Sequence, residues 1–423
     1  MKHSYSRRNF LGTSLMGGAG LASFGLGLEA ALAAAPKLSA PSDLKITGIK
    51  CGYTRRGNSL FVKVHTNQGI WGCGEAADAV AGTYHLVKMF GERLKGQNPL
   101  NVNRLFEDIR RNGFFAGAQS GMFIAVLSGV ETALWDLIGK ALGVPVYQLL
   151  GGKFRDRVRV YLDTALYQRT RPKPEEFATA AREARAMGFN AVKFDLDQQN
   201  DPNKYDAYNW TAGPAEQRRM VEQMTAARQA LGPDFDICAD MHGRYDAPTG
   251  EKIAKLMEPL NLMWLEEPVP ADNVAAYKRI TDSTSTPICA GENQYLAFGF
   301  REMLETGAVD IVMPDLQKCG GLGEGQRIAN LANLYHTPFA PHMVSSFLGA
   351  MATTHVCASV PNFMIMEWQI YFHKEPMFDE IVTYDGPKVA DGFIKVSDKP
   401  GIGVEINEEG MRKYATPGMP FFE

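Results

Sequence analysis

Between Asp236 and Asp246 the chain reads DICADMHGRYD, an apolar run followed at once by Asp240, His242, Arg244 and Asp246. Ionisable groups are expensive to bury at the end of an apolar strand unless they are paired, hydrogen-bonded or bound to a metal. The arrangement recurs along the chain: Lys193 and Asp195 follow AVKFDLD, Glu266 and Glu267 close LMWLEE, and Glu292 closes PICAGE. Asp315 closes VDIVMPD, His342 closes TPFAPH, and Glu367 stands in NFMIMEW. Asp240, one of Glu266 and Glu267, and Glu292 come from successive runs and suit one hard cation. All-oxygen ligation with few side chains favours Mg2+, one ion per site, with positions left for substrate oxygens. Strand alternation lets only one of the two adjacent glutamates point inward, and does not say which.

Removing a proton from the carbon next to a carboxylate creates a doubly charged enediolate, which needs a divalent cation and nearby positive groups. The base for such a step is a neutral imidazole, and His342 with Asp315 meets the requirement, the carboxylate holding the tautomer and stabilising the imidazolium. His242 lies two residues after Asp240, hence on the same side of an extended backbone and beside the metal. That makes it the candidate acid for a departing hydroxyl; the structural alternative is a histidine that only orients a neighbouring carboxylate. Lys193 can steady a substrate carboxylate, and Asp195 either orients Lys193 or binds a substrate hydroxyl.

These residues need a frame that brings strand ends together. From Val158 onward eight short apolar runs alternate with amphipathic helical stretches such as PAEQRRMVEQMTAARQALG, which predicts a (β/α) barrel over 156–385 with its active site at the carboxyl ends of the strands. Ahead of it, LKITGIKCGYT, LFVKVHT and IWGCGEA predict three antiparallel strands, and SGVETALWDLIGKALG a helix, so 36–155 reads as an α+β domain. The tail, 386–423, is expected to return to that domain as part of a cap. A doubly wound sheet competes because CGGLGEG follows a strand and opens a helix. It lacks the G-x-G-x-x-G order and the phosphate-loop lysine.

The 423 residues, 45% hydrophobic and 22% charged with net charge −3, fit a soluble protein of one large or two medium domains, and the absence of basic blocks argues against nucleic acid. The first 35 residues join Arg7 and Arg8 to a Gly-rich apolar run and an ALA site. That predicts a twin-arginine export signal, a periplasmic or otherwise exported protein, and no stable membrane anchor after cleavage. A membrane span over Asn9 to Leu28 is the competing reading. The six cysteines form no ligand cluster; a Cys51–Cys73 bridge is a minority expectation.

With ADMHGR, WLEEP, AGEN, MPDLQKCGG and APHMVSS in view, the chain resembles the enolase superfamily, in particular mandelate racemase and the acid-sugar dehydratases of the galactonate type. The resemblance covers nearly all of the chain after the signal and implies a metal on Asp240, Glu266 and Glu292, and a catalytic dyad of His342 and Asp315. It also implies a general acid at His242 and a residue, Glu367, that hydrogen-bonds the enediolate oxygen. The racemase pattern K-x-K is replaced by Lys193-Phe194-Asp195, so the opposing base is missing and elimination of water is favoured over inversion. The implied reaction is Mg2+-dependent dehydration of an aldonic or aldaric acid to a 2-keto-3-deoxy acid, in a homo-oligomer. An epimerase or cycloisomerase is the alternative, and an exported sugar-acid binding protein a more distant one. Specificity is expected from cap loops, with Arg55 or Arg56 pairing a distal carboxylate of the substrate.

Overall fold

Glycine lets the first sheet be covered at backbone contact. Strands β1 (Ile46–Tyr53), β2 (Leu60–Thr66) and β3 (Trp71–Ala76) form an antiparallel sheet in the order β1-β2-β3. Helix α1 (Gly121–Leu142) lies across it so closely that a Cβ on Gly74 would stand 2.1 Å from the carbonyl oxygen of Gly129. Only a residue without a side chain allows that approach. Helix α1 is long and apolar enough to cross a membrane, yet it is the buried core helix of this cap. The computed structural model describes residues 43–54, 59–79, 81–164, 166, 172–198, 204 and 208–423. The expected export signal, and the candidate substrate residues Arg55 and Arg56, lie outside the described residues.

The order of the strands excludes the Cys51–Cys73 bridge. Cys51 pairs with Val62 and Cys73 with Lys63, so β2 runs between them. Two strands' spacing, roughly 9.5 Å, is beyond disulfide reach. All six cysteines are free and buried.

The second layer is a parallel barrel. Strands β4 (Arg157–Asp163), β5 (Ala191–Asp195), β6 (Asp236–Asp240), β7 (Trp264–Glu266), β8 (Ile288–Ala290), β9 (Ile311–Val312) and β10 (Met366–Gln369) follow the order β10-β4-β5-β6-β7-β8-β9. The segment expected as a seventh barrel strand forms no regular strand. It closes the ring through parallel bridges, Val312 to Phe339, Asp315 to His342 and Phe339 to Phe363. Pro338 and Pro341 within it cannot donate to a ladder, which accounts for the broken pairing. Helices separate the strands, among them α2 (Leu322–Leu334) and α3 (Phe347–Ser359).

One residue from nearly every strand fills the barrel interior: Tyr161, Ala191, Cys238, Trp264, Cys289, Met313, Ala340 and Ile365. Two residues further on, where a strand again faces the same way, stand Asp163, Lys193, Asp240, Glu266, Asp315, His342 and Glu367. The period that packs the core thus delivers these polar residues to one end of it; Glu292, three residues after Cys289, comes instead from the turn beyond β8.

Two buried carboxylates dock the cap onto this barrel. Glu131 of α1 accepts hydrogen bonds from the backbone N–H groups of Leu322 and Gly323 at the start of α2, at 2.8 and 2.9 Å. Glu75 of β3 accepts from the N–H groups of Ser346 and Gly349 at the start of α3, at 2.8 and 3.2 Å. The free N–H groups and dipole of a helix N-terminus favour an anion. The CGGLGEG stretch therefore opens a helix whose anion seat is filled by the protein's own Glu131. The tail runs first along the barrel, with Phe393–Lys395 antiparallel to β4, and then reaches β1 through bridges from Ala415 to Thr54 and Phe421 to Gly52.

Candidate active site

Carboxylate oxygens of Asp240, Glu266 and Glu292, one from each residue, lie within 4.8 Å of one another, and all three residues are buried. Asp240 and Glu266 are direct partners across β6 and β7. Of the two adjacent glutamates, Glu266 enters the cluster, where Trp264, two residues earlier on the same face, donates its indole N–H to Glu266 Oε2 at 3.1 Å. Glu267 has a φ of 31° and turns away. It accepts from Gly291 N at 3.2 Å and from Asn293 Nδ2 at 2.7 Å, and burial pushes its pKa up to about 7.

Two basic side chains face this negative charge. Lys193, fully buried, reaches Asp240 Oδ2 at 3.0 Å, Glu367 Oε1 at 3.1 Å and Glu266 Oε1 at 3.3 Å. Burial alone would lower its pKa, but Glu266 and Glu367 outweigh burial and hold it well above the usual lysine range. His342 is the second. Its Nδ1 is 2.8 Å from Asp315 Oδ2, its Nε2 is 2.8 Å from Glu292 Oε2 and 3.5 Å from Glu367 Oε2. Burial opposes its charge as well, yet Glu367 and Glu292 keep its pKa well above the ordinary imidazole value. Asp315 is itself fixed, its Oδ1 accepting from Gln317 N at 2.8 Å. Glu367 accepts from Met343 N at 3.1 Å and Gln369 Nε2 at 2.9 Å.

On the other side of Asp240 the backbone leaves the strand by a left-handed turn, with φ of 47° at His242 and 61° at Gly243. The expectation that His242 shares the face of Asp240 by extended alternation is therefore corrected. A hydrogen bond from His242 N to Asp240 Oδ1, 2.8 Å, folds the turn back, and the ring arrives beside the cluster by that route. His242 Nε2 is 3.4 Å from Asp240 Oδ2 and 3.8 Å from Asp195 Oδ1, and its Nδ1 is 2.6 Å from Asp197 Oδ1. Asp195 thus faces His242. Burial and then Asp163 raise its pKa well above the carboxylate range. Arg244 Nε pairs with Asp197 Oδ2 at 2.6 Å. Asp246, further on, accepts from Thr249 N as the N-cap of the next helix.

Asp197, Arg244, Asn293 and Lys318 are site residues that motif reading missed. Asp197 was legible as the next acid of D-x-D after β5, and Lys318 as the lysine one turn beyond Asp315. Lys318 Nζ reaches Asn293 Oδ1 at 3.4 Å and Asp78 Oδ2, on the cap loop after β3, at 3.1 Å. A groove of about 650 Å³ opens beside His242 and Glu267, bounded by Gln119 of the cap and by Trp210, Asn293 and Phe298 of the barrel. That is the size range of small-molecule sites.

Comparison with known proteins finds relatives over most of the chain. Residues 40–151 match the family model of the mandelate racemase/muconate lactonizing enzyme N-terminal domain, and residues 176–410 that of the enolase C-terminal domain-like fold. A D-xylonate dehydratase of Haloferax volcanii is 36% identical over 365 residues, covering 86% of this chain and 87% of that protein. A D-galactonate dehydratase of Variovorax paradoxus is 33% identical over 359 residues, covering 83% and 89%. Among solved structures, a mandelate racemase/muconate lactonizing enzyme-like protein from Rubrobacter xylanophilus superposes with a TM-score of 0.86 at 43% identity, covering 90% of this chain and all 100% of that one. The 3,6-anhydro-D-galactonate cycloisomerase of Zobellia galactanivorans reaches a TM-score of 0.77 at 26% identity, covering 88% and 99%.

Proposed function

The chain belongs to the mandelate racemase/muconate lactonizing enzyme group of the enolase superfamily, and from that premise we propose that it is a hydro-lyase that dehydrates an aldonic or aldaric acid to a 2-keto-3-deoxy acid. The observation that carries the reading is a pair of histidines on opposite sides of one carboxylate cluster, each bound at Nδ1 by an aspartate. One fits a base at the carbon next to the carboxylate, the other an acid at the leaving hydroxyl.

The donor set suits a divalent ion. Asp240, Glu266 and Glu292 offer only oxygens and share their charge with Lys193 and His342. Mg2+, the hard cation such ligands favour, would when bound supply positive charge to the substrate carboxylate as electrons move onto it. The chain's own groups do the rest. With a divalent ion held by Glu292, that carboxylate would no longer favour the imidazolium, so His342, its Nδ1–H held by Asp315, would present a neutral Nε2 to take the α-proton. Lys193, facing the same end of the barrel, steadies the developing oxyanion, and Glu367 positions Lys193. His242 delivers a proton from Nε2 to the β-hydroxyl, which leaves as water while the new double bond forms; ketonisation gives the 2-keto product.

Epimerisation would need a second base. Lys193 is clasped by three carboxylates and serves as a cation, which weighs against that route. The test is a screen of the mature protein with Mg2+ against acid sugars, beginning with D-xylonate and D-galactonate, scored for 2-keto product. A product that keeps all its hydroxyls, or binding without turnover across the panel, would defeat the proposal. Export of the folded protein, proposed from Arg7, Arg8 and the ALA site, is checked by cell fractionation; full-length protein confined to the cytoplasm counts against it.

A further inference from the structure

We propose that Asp197 is the positioning residue of His242 and that Arg244 holds Asp197 in place for that task. The proposal rests on the reading of His242 as the acid of the dehydration. Asp197 is buried, and its two oxygens are divided between two partners: Oδ1 at 2.6 Å from His242 Nδ1 and Oδ2 at 2.6 Å from Arg244 Nε. A carboxylate accepts, so the proton on this side of the ring stays on Nδ1. That leaves Nε2 to face Asp240 at 3.4 Å and the carboxylate cluster, where the reacting atoms must lie.

The ring is fixed at its other end by its own backbone. His242 has a φ of 47°, its N–H is bonded to Asp240, and the next N–H, of Gly243, donates to the Glu267 carbonyl at 2.7 Å. Without Asp197 the turn would still place the residue, but Nδ1 would lose the 2.6 Å carboxylate contact that holds its proton, while Nε2 still faces Asp240 and Asp195 at 3.4 and 3.8 Å. Arg244 takes up the second oxygen of Asp197, which prevents the carboxylate from rotating away from the ring. A similar division occurs at the other histidine, where Asp315 gives one oxygen to His342 Nδ1 and the other to Gln317 N.

Two measurements on the mature, Mg2+-loaded protein test this. In the first, nitrogen-15 histidine labelling and long-range proton correlation, with His242 assigned by a His242→Gln variant, report the ring without any substrate. The parent should show His242 protonated at Nδ1, and Asp197→Asn should lose that signature; an unchanged pattern overturns the proposal. In the second, D-xylonate and D-galactonate are incubated in heavy water. Asp197→Asn should lower kcat for elimination about 10²-fold with KM within about twofold, while α-proton exchange by His342 continues. Asp197→Glu should recover part of the rate, and Arg244→Gln should lose about tenfold in kcat. Parent-like elimination in Asp197→Asn, or exchange and elimination falling together, overturns the proposal. Failure of the parent to dehydrate either acid counts against the dehydratase reading, and the spectroscopic arm then still decides where Asp197 acts; normal elimination by His242→Asn removes His242 as the acid and overturns the proposal with it.

Discussion

In the proposed mechanism His242 and His342 divide the reaction at the level of single atoms, and their asparagine variants should divide the kinetics the same way. In His342→Asn the α-proton has no acceptor, so exchange with heavy water and product formation should both fall by about 10³-fold. In His242→Asn exchange should continue near the parent rate while elimination slows by at least about 10²-fold. Exchange surviving the loss of His342 would remove it as the base. The carboxylates give a second residue-scale test. A ligand that binds only the folded state stabilises it by about 2.7 kcal/mol at a hundred times its Kd, so Mg2+ should raise the Tm of the parent after chelator treatment and leave that of Asp240→Asn unmoved. At this scale the titratable residues at strand ends were plain in the sequence because short apolar runs close on them, while the choice of Glu266 over Glu267 needed the structure, which puts Trp264 on the same face as Glu266. Asp197 escaped notice because it lies past the regular end of β5, and its partner reaches it only through a left-handed turn that no periodicity announces.

Elements carry charge chemistry of their own. His355 of α3 ties three parts of the chain together: its Nδ1 accepts from Tyr147 N and its Nε2 donates to the Ile402 carbonyl, both at 3.1 Å. Burial lowers its pKa to about 4, so the fold requires the neutral ring. An unfolded chain protonates near pH 6.5, and between that value and pH 4 the unfolded state holds one proton more than the folded one. Stability present above pH 6.5 is therefore lost as pH falls towards 4, by about 3 kcal/mol. Urea titrations across that window should show the slope, and His355→Gln should flatten it; an identical slope in the variant would assign the acid sensitivity elsewhere. Most elements were legible as alternating apolar runs and helices. The seventh barrel segment was not, since Pro338 and Pro341 reduce it to isolated bridges while its apolar residues still read as a strand.

Across the whole molecule, cap and barrel are joined by carboxylates set into helix ends. Glu131 also accepts from Trp135 Nε1 at 2.6 Å, and burial pushes its pKa up to about 7. Glu131→Ala leaves the N–H groups of Leu322 and Gly323 without their acceptor in a buried setting, which costs about 1–3 kcal/mol. Hydrogen exchange should then quicken at the start of α2 first, ahead of global unfolding; uniform protection would show that the cap is held by apolar packing alone. The same feature bears on what the enzyme turns away. Barrel enzymes often seat a substrate phosphate at helix N-termini above the strand ends. Here two such seats, at α2 and α3, are already satisfied from inside by Glu131 and Glu75. A phosphate could therefore be seated at neither helix end without first displacing Glu131 or Glu75, so the groups that dock the cap also take these two seats away from any ligand.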